Sequence, residues 1–119
     1  MQLPVTDVEL LKKKVRKLTA GRVLGGENAS VCLEMGSVRG CRAMIAAGFG
    51  SLGREPQAIA HDRLLWILDG RVDIYDPDEE ASTVRQGEST VLAAGKPFRL
   101  VFPQLTIYVI VEPAADQHV

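Results

Sequence analysis

Four residues at alternate positions form the densest group of side chains that could do chemistry. In chain order they are Gln57, Ile59, His61 and Arg63. A straight strand would point all four to the same face, joining an amide, an imidazole and a guanidinium to one apolar side chain. A partly desolvated guanidinium suits a carboxylate or phosphate, which it can bind through two parallel hydrogen bonds. The spacing therefore predicts a site that binds a small anion.

Two other interpretations of these residues remain open. Arg63 could pair with an acidic residue inside the protein, or point outward from the end of the strand. His61 would then be an exposed loop residue. Alternatively, the protein is an enzyme in which His61 and Arg63 perform acid–base or phosphoryl-transfer chemistry. The chain has two histidines and two cysteines in all, so the usual catalytic and metal-binding residues are scarce.

A helix is expected at the start of the chain, over residues 1–21. Thr6 and Glu9 form a T-x-x-E capping box, and Gly21 is a natural end for the helix. Between them runs an apolar stripe at helical spacing: Val8, Leu11, Val15 and Leu18.

The other face of this helix carries the strongest run of charge in the chain: Lys12, Lys13, Lys14, Arg16 and Lys17. Such a face could touch an anionic lipid, a nucleic acid or a phosphate, but basic residues late in a helix also suit its dipole. Fourteen Lys and Arg face fifteen Asp and Glu, a net charge of −1. We therefore expect a solvated face, with neither nucleic acid nor a membrane as partner.

Residues 22–113 are expected to form a barrel, because short apolar segments alternate there with turn residues. Strands are expected at 30–35, 41–47, 57–60, 64–68, 71–75, 82–86, 89–93, 98–102 and 105–111. Eight or nine short strands favour a closed antiparallel barrel, since closure removes unpaired edges. The 119 residues make one domain, with residues 114–119 as a frayed tail.

The two cysteines, Cys32 and Cys41, are expected to be reduced. A disulfide across a hairpin is conceivable, but two cysteines make no framework. The first residues lack a signal-peptide pattern, and no apolar run is long enough to span a membrane. These features favour a cytoplasmic protein.

From about residue 42 to 112 the sequence resembles the cupin superfamily of small jelly-roll barrels. Residues 61–74 (HDRLLWILDGRVDI) resemble its strand, acidic-Gly turn and strand, and residues 87–97 (GESTVLAAGKP) resemble its second motif. Residues 44–49 (MIAAGF) resemble the ethanolamine-utilisation Q-type branch. The resemblance implies an all-β protein, a cupin-type jelly-roll barrel with a short N-terminal α-helix, and a link to ethanolamine utilisation.

The resemblance also implies that the metal site of many cupins is lost. Those proteins use two His and a Glu from the first motif and a His from the second, and these positions fall here on Gln57, Ile59, Arg63 and Phe98. Ile59 and Phe98 have no donor atom, and Arg63 puts a positive charge where a cation would sit. We therefore expect no metal and no other cofactor, with Phe98 joining the ligand site. A metal enzyme remains the alternative if the motifs align differently.

Two strands are apolar on both faces, around Trp66 in residues 64–68 and again in residues 105–111. A barrel strand needs only one apolar face unless another layer covers the outside. The additional apolar faces therefore predict a homodimer in which a second subunit covers them. A third possibility for function is a structural or assembly protein with a filled barrel.

Overall fold

In the computed structural model the described residues are Leu3, 5–24 and 29–113, without the side chains at 54 and 55. They form one helix and seven antiparallel strands: α1 (Val8–Leu24), β1 (Ala29–Val38), β2 (Cys41–Gln57), β3 (Arg63–Asp69), β4 (Arg71–Tyr75), β5 (Ala81–Arg85), β6 (Ser89–Leu92) and β7 (Phe98–Pro113). The expected tail lies outside the described residues. No described helix has the length and apolar character needed to cross a membrane.

The N-terminal helix forms, but with a different cap and a later end than the sequence predicts. The backbone N–H of Leu10 donates to Oδ1 of Asp7 at 3.1 Å, so Asp7 caps the helix. Thr6, the expected cap, donates instead to the carbonyl of Met35 at 3.3 Å. The helix also continues through Gly21 to Leu24, because an exposed helical glycine costs only about 1 kcal/mol relative to alanine.

The strands form one continuous sheet that folds over itself. Its order is β1-β2-β7-β3-β6, and β4 joins β7 to β5. β7 therefore pairs with three strands: its first half with β2 and β4, and its second half with β2 and β3. The architecture is the jelly-roll barrel with a short N-terminal helix that the sequence predicts.

Seven strands replace the eight or nine expected, for two reasons. β2 runs on to Gln57, and residues 58–62 form a connection instead of the predicted strand at 57–60. The two predicted strands around Pro103 are one strand, because β7 bulges there: Gly48 pairs with Thr106 and Gly50 with Phe102. Pro103 lacks an N–H, and the bulge places it where the ladder makes no paired contact.

The core lies inside the barrel, and α1 covers part of its outer surface. Leu65, Ile67, Phe102 and Tyr108 are among the buried residues inside. Outside, Val15 of α1 is fully buried in a second apolar cluster with Ile45, Ala47 and Ile107. Burial of this helical stripe against the sheet holds α1 to the barrel.

The acidic-Gly turn of the first motif has a clear structural reason. Gly70 lies between β3 and β4 with a φ of +100°, a backbone conformation that favours glycine. A Cβ atom at Gly70 would also lie 2.5 Å from Oγ1 of Thr106. That buried hydroxyl accepts the backbone N–H of Arg71 at 3.2 Å, and it lies 2.9 Å from the carbonyl oxygen of the same residue. These contacts between Thr106 and Arg71 hold the turn against β7.

Candidate functional site

Two small cavities in the barrel have Arg63 in their linings. One has a volume of about 210 Å³ and is called the inner cavity; it is lined by Ser30, Cys32, Met44, Leu52, Arg63, Leu65, Leu92, Leu100, Tyr108 and Ile110. The other has a volume of about 190 Å³ and is called the outer cavity; it is lined by Leu52, Gln57, Ala58, Ile59, Arg63, Phe98 and Leu100. Among the described side chains, Arg63 is the only charged one in either lining.

Four of the five predicted site residues come together. Gln57, Ile59, Arg63 and Phe98 all line the outer cavity, and Gln57 and Phe98 are register partners on β2 and β7. His61 does not join them, because it lies exposed in the connection between β2 and β3 and lines neither cavity.

The straight strand predicted over residues 57–63 is interrupted, because residues 58–62 form a connection between β2 and β3. Hydrogen bonds hold this connection in place. The backbone N–H of Gly95 donates to the carbonyl of Ile59 at 3.0 Å. Oδ1 of Asp62 accepts the backbone N–H of Ala94 at 2.8 Å. Residues 58–62 are thereby tied to the turn that precedes β7, which keeps Ile59 at the cavity wall while His61 faces solvent.

An acidic partner for Arg63 does exist inside the barrel. Nε of Arg63 donates to Oε2 of Glu112 at 2.9 Å. Arg42 donates to the other oxygen of the same carboxylate, from Nε at 3.2 Å and from Nη2 at 2.9 Å. The structure therefore has the acidic partner that sequence reasoning kept as an alternative to a free guanidinium.

The Glu112 side chain is only 12% exposed. Burial by itself raises the pKa of this carboxyl, but the hydrogen bonds and positive charges of Arg42 and Arg63 outweigh that effect and lower its pKa below the ordinary value. Glu112 is therefore ionised at neutral pH. We call the three residues Arg42, Arg63 and Glu112 the charge cluster.

The charge cluster carries one positive charge in excess, because two guanidinium groups share one carboxylate. Both oxygens of Glu112 are in use. Nη1 and Nη2 of Arg63 make no hydrogen bond to any described residue. Arg63 can thus still offer donors to an anion in the cavities it lines, although it already has a partner.

A hydroxyl pair forms part of the wall of the inner cavity. The hydroxyl oxygens of Ser30 and Tyr108 are 3.3 Å apart, so one donates to the other. Burial raises the pKa of Tyr108 to about 12, which keeps its hydroxyl neutral. The thiol of Cys32 shares this wall, and its shielding from water raises its pKa as well, although the residue as a whole is exposed. Both cysteines are free, as the sequence predicts.

Sequence reasoning missed every one of these inner-cavity residues except Arg63. One signal was present: β1 alternates polar Ser30, Cys32 and Glu34 with apolar side chains, which is the pattern of a strand with one polar face. Glu112 gave no such signal, because it lies 49 residues from Arg63 and next to the end of β7.

The residues at the positions that the motif resemblance assigns to metal ligands do not fit a divalent cation. Ile59 and Phe98 offer no donor atom, and the guanidinium of Arg63 stands where the cation would need an anionic or neutral ligand. Among the described residues, no group of three His, Cys, Asp or Glu side chains is placed to hold a metal ion.

These features define a class: a small jelly-roll barrel with two small cavities and a surplus arginine charge inside. No protein-family model matches the sequence, and no curated protein matches it. Among solved structures, the EutQ protein of Clostridium difficile superposes with a TM-score of 0.65 at 14% identity, covering 76% of this chain and 71% of that one.

Two further structures extend the likeness. A cupin-2 domain protein of Shewanella frigidimarina superposes with a TM-score of 0.66 at 14% identity, covering 85% of this chain and 98% of that one. A cupin superfamily protein of Desulfitobacterium hafniense gives a TM-score of 0.60 at 13% identity, covering 73% and 79%. The chain therefore has the cupin fold, and it resembles the EutQ proteins, as its motifs predict.

Proposed function

We propose that this cupin-fold protein works without a metal and binds a small anionic metabolite inside its barrel. The observation that carries the proposal is the surplus positive charge of the charge cluster, presented by Arg63 to two cavities. An anion in either cavity would neutralise that charge in a setting where apolar walls limit screening by water.

The two alternatives have less support. Catalysis by His61 together with Arg63 needs the two side chains at one site, whereas His61 is exposed and lines neither cavity. A filled barrel that serves only assembly is disfavoured by the two cavities, of about 210 and 190 Å³. Binding remains the function that the geometry supports best.

A cytoplasmic location and a link to ethanolamine utilisation complete the proposal. The free thiols of Cys32 and Cys41 support a reducing compartment. The motif at residues 44–49 and the likeness in fold to the EutQ protein support the pathway link. Neither nucleic acid nor a membrane is included among the partners.

A homodimer is also proposed, formed through the part of the outer surface that α1 leaves uncovered. Leu64, Trp66 and Val91 are 37%, 45% and 59% exposed on the neighbouring strands β3 and β6. β6 lies at one end of the strand order, so its outer edge has no partner strand among the described residues. A second copy related by a two-fold axis would cover the same apolar side chains on both subunits.

The binding proposal is tested by native mass spectrometry with a panel of metabolites, on wild type and Arg63→Gln. Glu112 keeps both bonds from Arg42 in this variant, so the carboxylate is not left unpaired. Arg85→Gln is the matched control, because it makes the same change of charge at an exposed position of β5. We expect bound anions in wild type and the control and none in Arg63→Gln. Identical profiles in all three proteins would contradict the proposal.

Metal content is measured on protein purified without chelators. Near-stoichiometric iron, manganese, nickel or zinc would overturn the metal-free part of the proposal. Trace amounts that do not change with Arg63→Gln would support it.

A further inference from the structure

We infer that the ligand is a monocarboxylate with an aliphatic body, held with its carboxylate at Arg63 and its body in the inner cavity. The inference rests on the proposed function and narrows it from anions in general to one class. Three features of the described residues carry it: the charge count, the make-up of the cavity wall and the hydroxyl pair.

The charge count sets the charge of the ligand. Arg42 and Arg63 contribute two positive charges and Glu112 one negative charge, so one further negative charge makes the charge cluster neutral. Neither the Tyr108 hydroxyl nor the Cys32 thiol alters this count, because both are neutral at physiological pH. A dianion such as phosphate or a dicarboxylate would bring a second charge that no described group lining the two cavities compensates.

The wall of the inner cavity sets the character of the rest of the ligand. Six of its lining side chains are apolar and lie on four different strands: Met44, Leu52, Leu65, Leu92, Leu100 and Ile110. A polar body would lose its hydrogen bonds to water against these side chains, whereas an aliphatic body would gain from burial.

The hydroxyl pair gives a carboxylate a second point of attachment. The hydroxyls of Ser30 and Tyr108 line the same cavity as Arg63, and one hydroxyl proton is free after they bond to each other. A carboxylate has two oxygens, so one can accept from the guanidinium and the other can accept from a hydroxyl. This arrangement favours a planar carboxylate over a neutral alcohol of the same length.

The test is a titration series followed by isothermal calorimetry on the full chain. The probes are acetate, butyrate and hexanoate, then hexanamide as the neutral isostere, and adipate and inorganic phosphate as dianions. All are titrated in mildly alkaline buffer, where inorganic phosphate is mainly a dianion. We expect affinity to rise about fourfold for each methylene that becomes buried. We expect hexanoate to bind at least tenfold more tightly than hexanamide, adipate or phosphate.

Two variants change the charge count in opposite directions. Arg42→Gln brings the charge cluster to neutrality, so the preference of hexanoate over hexanamide should fall about tenfold or more. Glu112→Gln raises the surplus to two positive charges, so adipate and phosphate should gain relative to hexanoate. Circular dichroism checks that each variant is folded. If Glu112→Gln does not fold, the result for Arg42→Gln alone tests the charge argument.

The outcomes distinguish the monocarboxylate inference from the broader proposal that the barrel binds an anion. Equal binding of phosphate and hexanoate, or no effect of chain length, would overturn the monocarboxylate and leave anion binding standing. An unchanged preference in Arg42→Gln would overturn the charge argument. Absence of binding by every anion would count against both proposals together.

Discussion

Gly48 and Phe102 lie so close together that a Cβ atom on Gly48 would be 2.7 Å from a ring carbon of Phe102. The ring cannot easily give way, because Phe102 is 1% exposed and stacks on Tyr108 with ring centroids 5.1 Å apart. The glycine of the MIAAGF segment thus makes room for an aromatic pair in the barrel core. A larger residue would have to displace both rings.

Gly48→Ala is accordingly expected to destabilise the protein by about 1–3 kcal/mol, as overpacking of a filled core does. The measurement is chemical denaturation of wild type and variant. Gly36→Ala is the matched control, since it is also a strand glycine but has no atom within 4 Å of the added Cβ. If the two variants have equal stability, the close approach of Gly48 to Phe102 does not constrain the fold.

Gly21→Ala is expected to have the opposite effect. Gly21 lies inside α1 with open space around it, so alanine should stabilise the protein by about 0.5–1 kcal/mol through helix propensity. The contrasting variant is Gly87→Ala, at a turn position with a φ of +85°, where alanine should destabilise. Thermal unfolding of both variants checks the signs. A loss of stability in Gly21→Ala would show that the helix ends before Leu24.

Acid should destabilise wild type more than Glu112→Gln. The pKa of Glu112 is lowered in the folded protein, so its ionised form stabilises the fold above the unfolded value, ordinarily 4.5, and this contribution is lost as pH falls through the folded pKa. The glutamine variant has no such titration. Urea unfolding at a series of pH values from neutral to well below 4.5 measures the slope for each protein.

The control for this pH dependence is Glu79→Gln. Glu79 also pairs with an arginine, Arg99 at 3.4 Å, but its side chain is 68% exposed and solvent screens the pair. Its variant should keep the wild-type slope in acid. Equal slopes for wild type and Glu112→Gln would mean that the buried carboxylate does not contribute to acid sensitivity.

Light scattering at micromolar concentration should find a dimer in wild type and a monomer in Trp66→Lys. A lysine at position 66 would bury an unpaired charge in the proposed contact, and this cost should prevent dimer formation. Leu18→Lys is matched in exposure, at 48% against 45%, but it lies on α1 and should remain dimeric. A wild-type monomer would rule out the proposed contact.

The fold followed from the sequence because its cues are local. The Asp69-Gly70 turn and the apolar run at residues 64–68 depend on neighbours in the chain, and they correctly predict β3 and β4. Pro103 led to a wrong prediction of two separate strands, since the bulge of β7 can be recognised only from its pairing with β2. The number of strands was wrong for that reason, and because residues 58–62 form a connection and not a strand.

The candidate site was only partly predictable. The motif spacing identified Gln57 and Phe98, which the structure pairs across β2 and β7. Glu112 escaped because its role depends on two arginines that are 49 and 70 residues away in sequence. His61 was placed inside by assuming an unbroken strand, whereas the chain leaves the sheet between Gln57 and Arg63.

β7 also sets the order in which the protein can be made. It is the last of the described strands in the sequence, yet β2, β3 and β4 all pair with it. During synthesis these earlier strands leave the ribosome before their shared partner exists, so the barrel cannot close until residue 113 has emerged. Pairing across such long sequence separations makes folding slow, and the partly made sheet exposes edges that chaperones would need to shield from aggregation.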